Sequence, residues 1–345
     1  MKKKIIFSTI FILFLGLFSV WQGIYLPKNP FSEKEVIFNI EKGQGSKEIA
    51  INLGNQGLIK WAPLFRLYVY QRGVSGKLQA GVYQLSPSMN VPQIVEKFVK
   101  GDVISEKITI IEGWNLRDIG WYFEGKGMFQ AEELFELVGF PLIDYSKTTD
   151  LPKPKDFSQK YDFLKDKPKN LSLEGYLFPD TYKINRGATI EEIVRKMLDN
   201  FDQKLAPYRN EISGAGKTIF EIVTAASLIE KEVKTKEDKE IVSGILWKRL
   251  KNNIPLQVDA TISYITGKKT TEISVEETKI DSPYNTYKYK GLPLGPICNP
   301  GLESILSAIY PKSSEYWYYL STPEGVTIFS KTLEEHNLAK SKYLR

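Results

Sequence analysis

The sequence predicts an α+β chain in three parts: an N-terminal transmembrane helix, a small βααβ module at 36–104, and a larger mixed α/β domain at 105–345. Three observations predict it. Residues 5–25 carry no charge and are mostly Ile, Leu, Phe and Val. A strand, helix, helix, strand order then follows within residues 36–85. From Lys107 the pattern restarts, and the rest of the chain alternates amphipathic helices with loops dense in aromatics, Gly and Pro.

The first element is the most constrained. Twenty-one helical residues span about 31 Å, matching a hydrocarbon core of roughly 30 Å. Lys2, Lys3 and Lys4 precede the run, leaving residues 1–4 as a cytoplasmic tail by the positive-inside rule and everything after Tyr25 outside. Trp21 and Tyr25 suit the outer interface. A cleaved signal peptide is the competing reading, but the apolar run is long for one and no small-x-small site follows it. The expectation is an uncleaved single-pass anchor, with the lipid bilayer as its partner through residues 5–25.

Beyond a Pro-containing spacer, Val36–Ile40 reads as a strand, and Ser46 is placed to cap a helix from Lys47 through Leu53. Ala62 to Gln71 makes a second helix, Leu78 to Leu85 a strand around a Gly bend, and Val91 to Lys100 a third helix. This order resembles a LysM-type domain, a fold associated with glycan chains; a spacer with no ligand fits the pattern equally well. In the larger domain, Ile108–Ile111 reads as a strand, Leu116 to Phe123 as a helix, and 146–169 as an exposed Lys/Asp/Pro loop. Thr189 to Lys204 is an amphipathic helix carrying Ile193, Val194, Met197, Leu198 and Phe201 on one side. Leu302 to Tyr310 is a helix, and 317–321 with 326–329 a hairpin.

Composition narrows the chemistry. The chain has one His, His336, and one Cys, Cys298. Triads need that lone His, a His/Cys zinc site is close to impossible, and an intramolecular disulfide is excluded. No phosphate-binding or dinucleotide fingerprint appears. The net charge of +6 is dispersed, unlike the focused basic face of a nucleic-acid binder. Carboxylates, amides and hydroxyls are left as tools, with no metal or organic cofactor implied.

Among carboxylates, Glu230 stands out. Thr218 to Val233 has no Gly or Pro and reads as one helix, with Ile219, Ile222, Val223, Ala226, Ile229 and Val233 on one apolar arc. Glu230 projects into that arc, so burial is expected to disfavour its anion and suit it to general acid catalysis. A polar misfit capped by a Lys or Arg is the alternative. Glu232 lies about 160° around the helix, on the polar side. Downstream, Leu256–Thr261, if extended, sets Gln257, Asp259 and Thr261 on one face. Tyr284, Asn285, Thr286 and Tyr287 form an amide- and aromatic-rich loop suited to saccharides. Gly291 to Gly301, with three Pro and three Gly, suits either a cleft wall contributing Asn299 or a structural crossover.

In order and wording, Ala226-Ser-Leu-Ile-Glu-Lys-Glu232, Leu256-Gln-Val-Asp259, Tyr284-Asn-Thr-Tyr287, the 291–301 run, Phe329 to Asn337 and Leu173 to Tyr182 resemble the endolytic murein transglycosylases (YceG-like, MltG). The resemblance implies cleavage of the MurNAc-β-1,4-GlcNAc bond within nascent peptidoglycan strands, leaving 1,6-anhydro-MurNAc ends. It places the catalytic acid on Glu230 and leaves Gln257, Asp259, Thr261, Tyr284, Asn285, Thr286, Tyr287 and Asn299 as candidate substrate contacts. It also implies contact with penicillin-binding proteins and other cell-wall synthesis proteins. The chemistry agrees with the inventory: ordinary glycosidases need two carboxylates about 5–5.5 Å or ~6.5–9.5 Å apart, whereas attack by the sugar's own C6 hydroxyl needs one. A peptidoglycan-binding scaffold without turnover, and a conventional muramidase using Glu230 and Asp259, are the alternatives.

Overall fold

The computed structural model describes residues 2–148, 150–268 and 273–343 and divides into two compact units. The first comprises residues 1–108 and 183–188; the second comprises 109–182 and 189–345.

In the first unit, α1 (Lys2–Tyr25) leads into β1 (Val36–Ile40), α2 (Ser46–Asn55), α3 (Ala62–Gln71), β2 (Gly81–Leu85) and α4 (Val91–Lys100). The helix–helix crossover brings β1 and β2 together antiparallel, Phe38 opposite Tyr83. Alternation on these strands turns Phe38, Ile40, Tyr83 and Leu85 inward, where the Phe98 ring of α4 stacks on Phe38 and meets Tyr83 edge-on. Asn90 caps α4 with a reciprocal capping box to Gln93. Ser46 is not a cap: Gly45 holds that position and no side chain satisfies the first turn. The second strand is also shorter than its pattern, because Gly81 at φ +146° lets the chain enter the ladder only there.

Through the 18-residue apolar window of the span Ile5–Tyr25 no residue is buried within the protein, as expected of a helix whose side chains face lipid. Its last turn differs. Ile24 is 4% exposed and belongs to the core of this unit.

β3 (Ser105–Thr109) pairs with β4 (Thr181–Asn185) in a two-stranded sheet; the strand begins three residues earlier than Ile108. The second unit carries α5 (Leu116–Gly125), α6 (Ala131–Val138), α7 (Ile190–Leu205), α8 (Arg209–Gly214), α9 (Ile219–Glu232), α10 (Lys236–Lys251), α11 (Asp259–Thr266), α12 (Leu302–Ile309), the hairpin β5 (Tyr318–Ser321) and β6 (Thr327–Ser330), and α13 (Leu333–Tyr343). Between α6 and β4 the 146–169 stretch is largely irregular, with one short 3-10 turn at Asp162–Leu164.

α9 is the axis of this unit. Thr218 caps it, accepting from the Glu221 N–H while the Glu221 carboxylate accepts from the Thr218 N–H, and Asp166 takes the Ile219 N–H at 2.6 Å. Every residue from Ile222 to Ile229 is buried. Over those eight residues the helix has no solvent face, and there the apolar arc does not sort its residues into inside and outside. α12 packs along one side through Ile305 and Ala308, and α10 along another, where Gly244 lets the Lys312 carbonyl approach so closely that a Cβ would lie 2.0 Å from its oxygen. The run 291–301 is a crossover: residues 295–301 are buried, the Ile297 N–H donates to Ser227 Oγ at 3.0 Å, and the Cys298 thiol reaches the Ser227 carbonyl.

Candidate active site at the end of a buried helix

Two carboxylates leave the last turn of α9 in different directions, and each meets the N-terminus of a different helix. Glu230 faces α12. Its Oε2 accepts from the Gly301 N–H at 3.1 Å and the Ser304 hydroxyl at 2.6 Å, and lies 3.6 Å from the Lys239 ammonium. Both side chains of that ion pair are nearly inaccessible, 9% for Glu230 and 5% for Lys239. The carboxylate thus lies at the N-terminus of α12 and beside a buried ammonium, the partner that a polar misfit on the apolar arc would need. Glu112 packs over Gly301 beside this cluster, its carboxyl raised above the usual range by burial and then by Glu230.

Glu232 faces α11. Its carboxyl accepts from the Tyr319 hydroxyl of β5 and the Ala260 N–H in the first turn of α11. Burial, and secondly the neighbouring Asp259 carboxylate, push its pKa up from 4.5 to about 7. Asp259 is exposed, and its Oδ1 accepts from the half-buried Tyr287 hydroxyl. Arg249 stands behind the group with its guanidinium spent on the Trp317, Pro255 and Leu256 carbonyls. A carboxylic acid raised toward neutrality, beside an accessible second carboxyl group and a phenol, can donate and retrieve a proton at a bound substrate.

The chain enters this group by a sharp turn. Gln257 adopts φ +55°, a left-handed conformation that costs a side-chain-bearing residue about 1–2 kcal/mol. Its N–H donates to the Thr286 carbonyl at 3.1 Å, and the Val258 N–H to Thr286 Oγ1 at 3.0 Å. The segment 256–261 is therefore not an extended strand. Gln257 and Asp259 are exposed, but Thr261 lies in α11, fully buried, its hydroxyl bonded to the Val258 carbonyl and paired with Thr286 Oγ1.

The remaining predicted contacts divide similarly. Tyr287 belongs to the carboxylate group. Asn285 is buried and holds its own loop, donating to the Thr278 and Ile280 carbonyls and accepting from the Tyr287 N–H. Tyr284 is buried against Tyr264 with ring centroids 5.3 Å apart. Asn299 is wholly buried, donating to the Trp114 carbonyl and Glu174 and accepting from the Leu177 N–H. Asn285, Thr286, Thr261 and Asn299 are thus buried with their polar groups engaged inside the protein, and Tyr284 is buried by ring packing.

Sequence reasoning passed over Lys239, Ser304, Tyr319 and the buried Glu174. Glu174 accepts from the Leu116 N–H with both oxygens at 3.1 Å and from the Tyr264 hydroxyl at 3.0 Å, and burial raises its carboxyl to about 8. An acid inside the aromatic run 173–182 was the available signal for it. Tyr319 has none, since its partner is 87 positions away and nothing in its strand distinguishes it from Tyr318. His336 stacks on Tyr318, with burial holding its imidazole down at about 4. A cavity of about 400 Å³ lies elsewhere, lined by residues of 145–158 and 164–173.

The fold and this site define an α+β protein whose polar chemistry is carried by carboxylates at the end of a buried helix. The sequence profile of the YceG-like family matches residues 38–342, and the chain belongs to that family. The endolytic murein transglycosylase of Bacillus subtilis is 34% identical over 95% of this chain and 90% of its own length. The one from Streptococcus pneumoniae D39 is 32% identical over 95% of this chain and 63% of that longer relative. A crystal structure of a YceG-like protein from Listeria monocytogenes superposes with a TM-score of 0.58 at 33% identity, covering 90% of this chain and all of that one.

Proposed function

We propose that this chain is a membrane-anchored endolytic peptidoglycan transglycosylase whose general acid and base is Glu232, rather than Glu230. The observation that carries the reading is the placement of Glu232, a carboxyl pushed up to about 7 by burial, next to exposed Asp259. The relatives' names supply the substrate class. Protonated Glu232 donates to the glycosidic oxygen as the MurNAc C1–O4 bond breaks. The MurNAc C6 hydroxyl attacks C1, its proton returns to Glu232, and a 1,6-anhydro-MurNAc end forms. Asp259, held by the Tyr287 hydroxyl, stabilises positive charge at C1 and positions hydroxyls. Glu230, locked to Lys239, orients the end of α9 from below.

The proximity of two carboxylates supports a second reading, hydrolysis with Asp259 activating water. Mass analysis of peptidoglycan digested by the full chain separates the two. Anhydro ends support the transglycosylase, reducing ends the muramidase, and unchanged strands that still bind the chain support a scaffold without turnover.

The proposed setting is a bacterial cell membrane, with α1 as the span, the N-terminus cytoplasmic, and the second unit outside, within reach of cell-wall synthesis proteins such as penicillin-binding proteins. That the last turn of α1 contributes Ile24 to a folded core supports an anchor that is kept, since cleavage would expose that core. The βααβ arrangement is consistent with a LysM-like module.

A further inference from the structure

The first unit is clamped to the end of its own anchor. A Cβ at Gly23 would lie 2.3 Å from Leu64 Cδ1 and 2.7 Å from the Trp61 ring, so glycine alone lets α3 press against α1 there. One residue on, Ile24 enters the core; next, the Tyr25 carbonyl accepts from Asn90 Nδ2 at 3.2 Å and its ring meets Tyr68 edge-on. Three successive residues thus fix the unit to the helix without a linker.

This has a consequence for depth. The 21-residue span is about as long as the hydrocarbon core is thick, which sets Gly23 to Tyr25 at the hydrocarbon–headgroup boundary. Trp61, in van der Waals contact range of Gly23, shares that level. It is 51% exposed, and Tyr25 and Leu26 beside it are also exposed. Lys60 precedes it in the chain, and Lys28 is brought alongside, its Nζ 3.3 Å from where a Gly57 Cβ would be. Both lysines are exposed, and neither has an ion pair among the described residues. An indole flanked by free ammonium groups is suited to an anionic lipid surface: the ring occupies the interface and the amines meet phosphates.

We propose that the first unit docks on the anionic headgroups of the leaflet that α1 reaches, through Trp61, Lys60 and Lys28. The proposal rests on the membrane-anchor reading of α1. Docking holds the unit against the bilayer at the level of the headgroups.

The test uses the full chain reconstituted in vesicles of phosphatidylglycerol carrying brominated acyl chains, with tryptophan quenching as the readout. Trp21→Phe reports insertion of the anchor and Trp61→Phe reports docking, each by the share of quenching it removes. Docking predicts that both substitutions remove comparable shares. It also predicts that Lys28→Glu with Lys60→Glu, or phosphatidylcholine in place of phosphatidylglycerol, diminishes the Trp61 share alone. Quenching lost with Trp21→Phe but unchanged by Trp61→Phe overturns the docking while leaving the anchor intact. A Trp61 share indifferent to headgroup charge overturns the anionic-lipid assignment. No quenching at Trp21 overturns the anchor itself.

Discussion

Replacing Glu230 and Glu232 separately by Gln should split stability from activity, because the two carboxylates occupy opposite electrostatic environments. Glu232 is raised from 4.5 to about 7, which at about 1.4 kcal/mol per pH unit corresponds to about 3 kcal/mol. The folded chain binds a proton at Glu232 between those pH values that the unfolded chain has released, so this residue lowers stability as pH rises from 4.5 to about 7, and the loss is complete above it. Glu232→Gln removes the titration. The variant should equal wild type in stability near pH 4.5 and exceed it by up to about 3 kcal/mol at pH 8. Its transglycosylase activity should fall by about 10²–10⁴-fold, the usual worth of a general acid. Glu230→Gln leaves the Lys239 ammonium buried without its counter-charge, a loss of about 3–5 kcal/mol. Urea unfolding across pH, with anhydro-end counts by mass analysis on the same preparations, measures both. A folded, inactive Glu230→Gln beside an active Glu232→Gln would refute the assignment and return the acid to the position favoured by the apolar arc.

Four further outcomes follow from the same geometry. Asp259→Asn removes the second-largest influence raising Glu232, so the alkaline limb of any residual activity should move to lower pH in a pH–rate profile. Tyr319→Phe removes a donor that favours the Glu232 anion, and the same limb should move to higher pH. Thr218→Ala deletes the cap of α9 and should cost about 1 kcal/mol in urea unfolding with little effect on the chemistry. Gly244→Ala forces a methyl into the Lys312 carbonyl and should destabilise by about 3 kcal/mol or more, read as a lowered unfolding midpoint.

The local elements were legible because they depend on short-range rules. The span at Ile5–Tyr25, the capped helices beginning at Ile190 and Ile219, and the terminal hairpin follow from charge depletion, Thr caps and alternation, all contained within a few neighbouring residues. The carboxylate inventory was equally legible, since one His and one Cys leave little else. α10 was not legible because its apolar residues do not form a clear stripe; it packs against both α9 and α12, and Lys239 and Arg249 on it are buried as well.

What the sequence by itself determined is the set of parts: an anchor-length helix, a βααβ segment, and a helix ending in Glu230-Lys-Glu232. Tertiary structure alone decided which of those two acids is tied to a buried ammonium and which lies beside a second carboxylate. The period of a helix ranks its faces only when one of them is wet, and α9 is enclosed on all sides from Ile222 to Ile229. The roles of Glu230 and Glu232 then depend on groups that arrive from elsewhere in the chain, Lys239 and Ser304 for one, Tyr319 and Asp259 for the other. Likewise the polar residues of 256–261 and 284–287 looked alike as a pattern. Folding separated them, because a left-handed turn at Gln257 and the backbone groups of a buried loop consumed most of their hydrogen bonds and left Asp259 and Tyr287 at the surface.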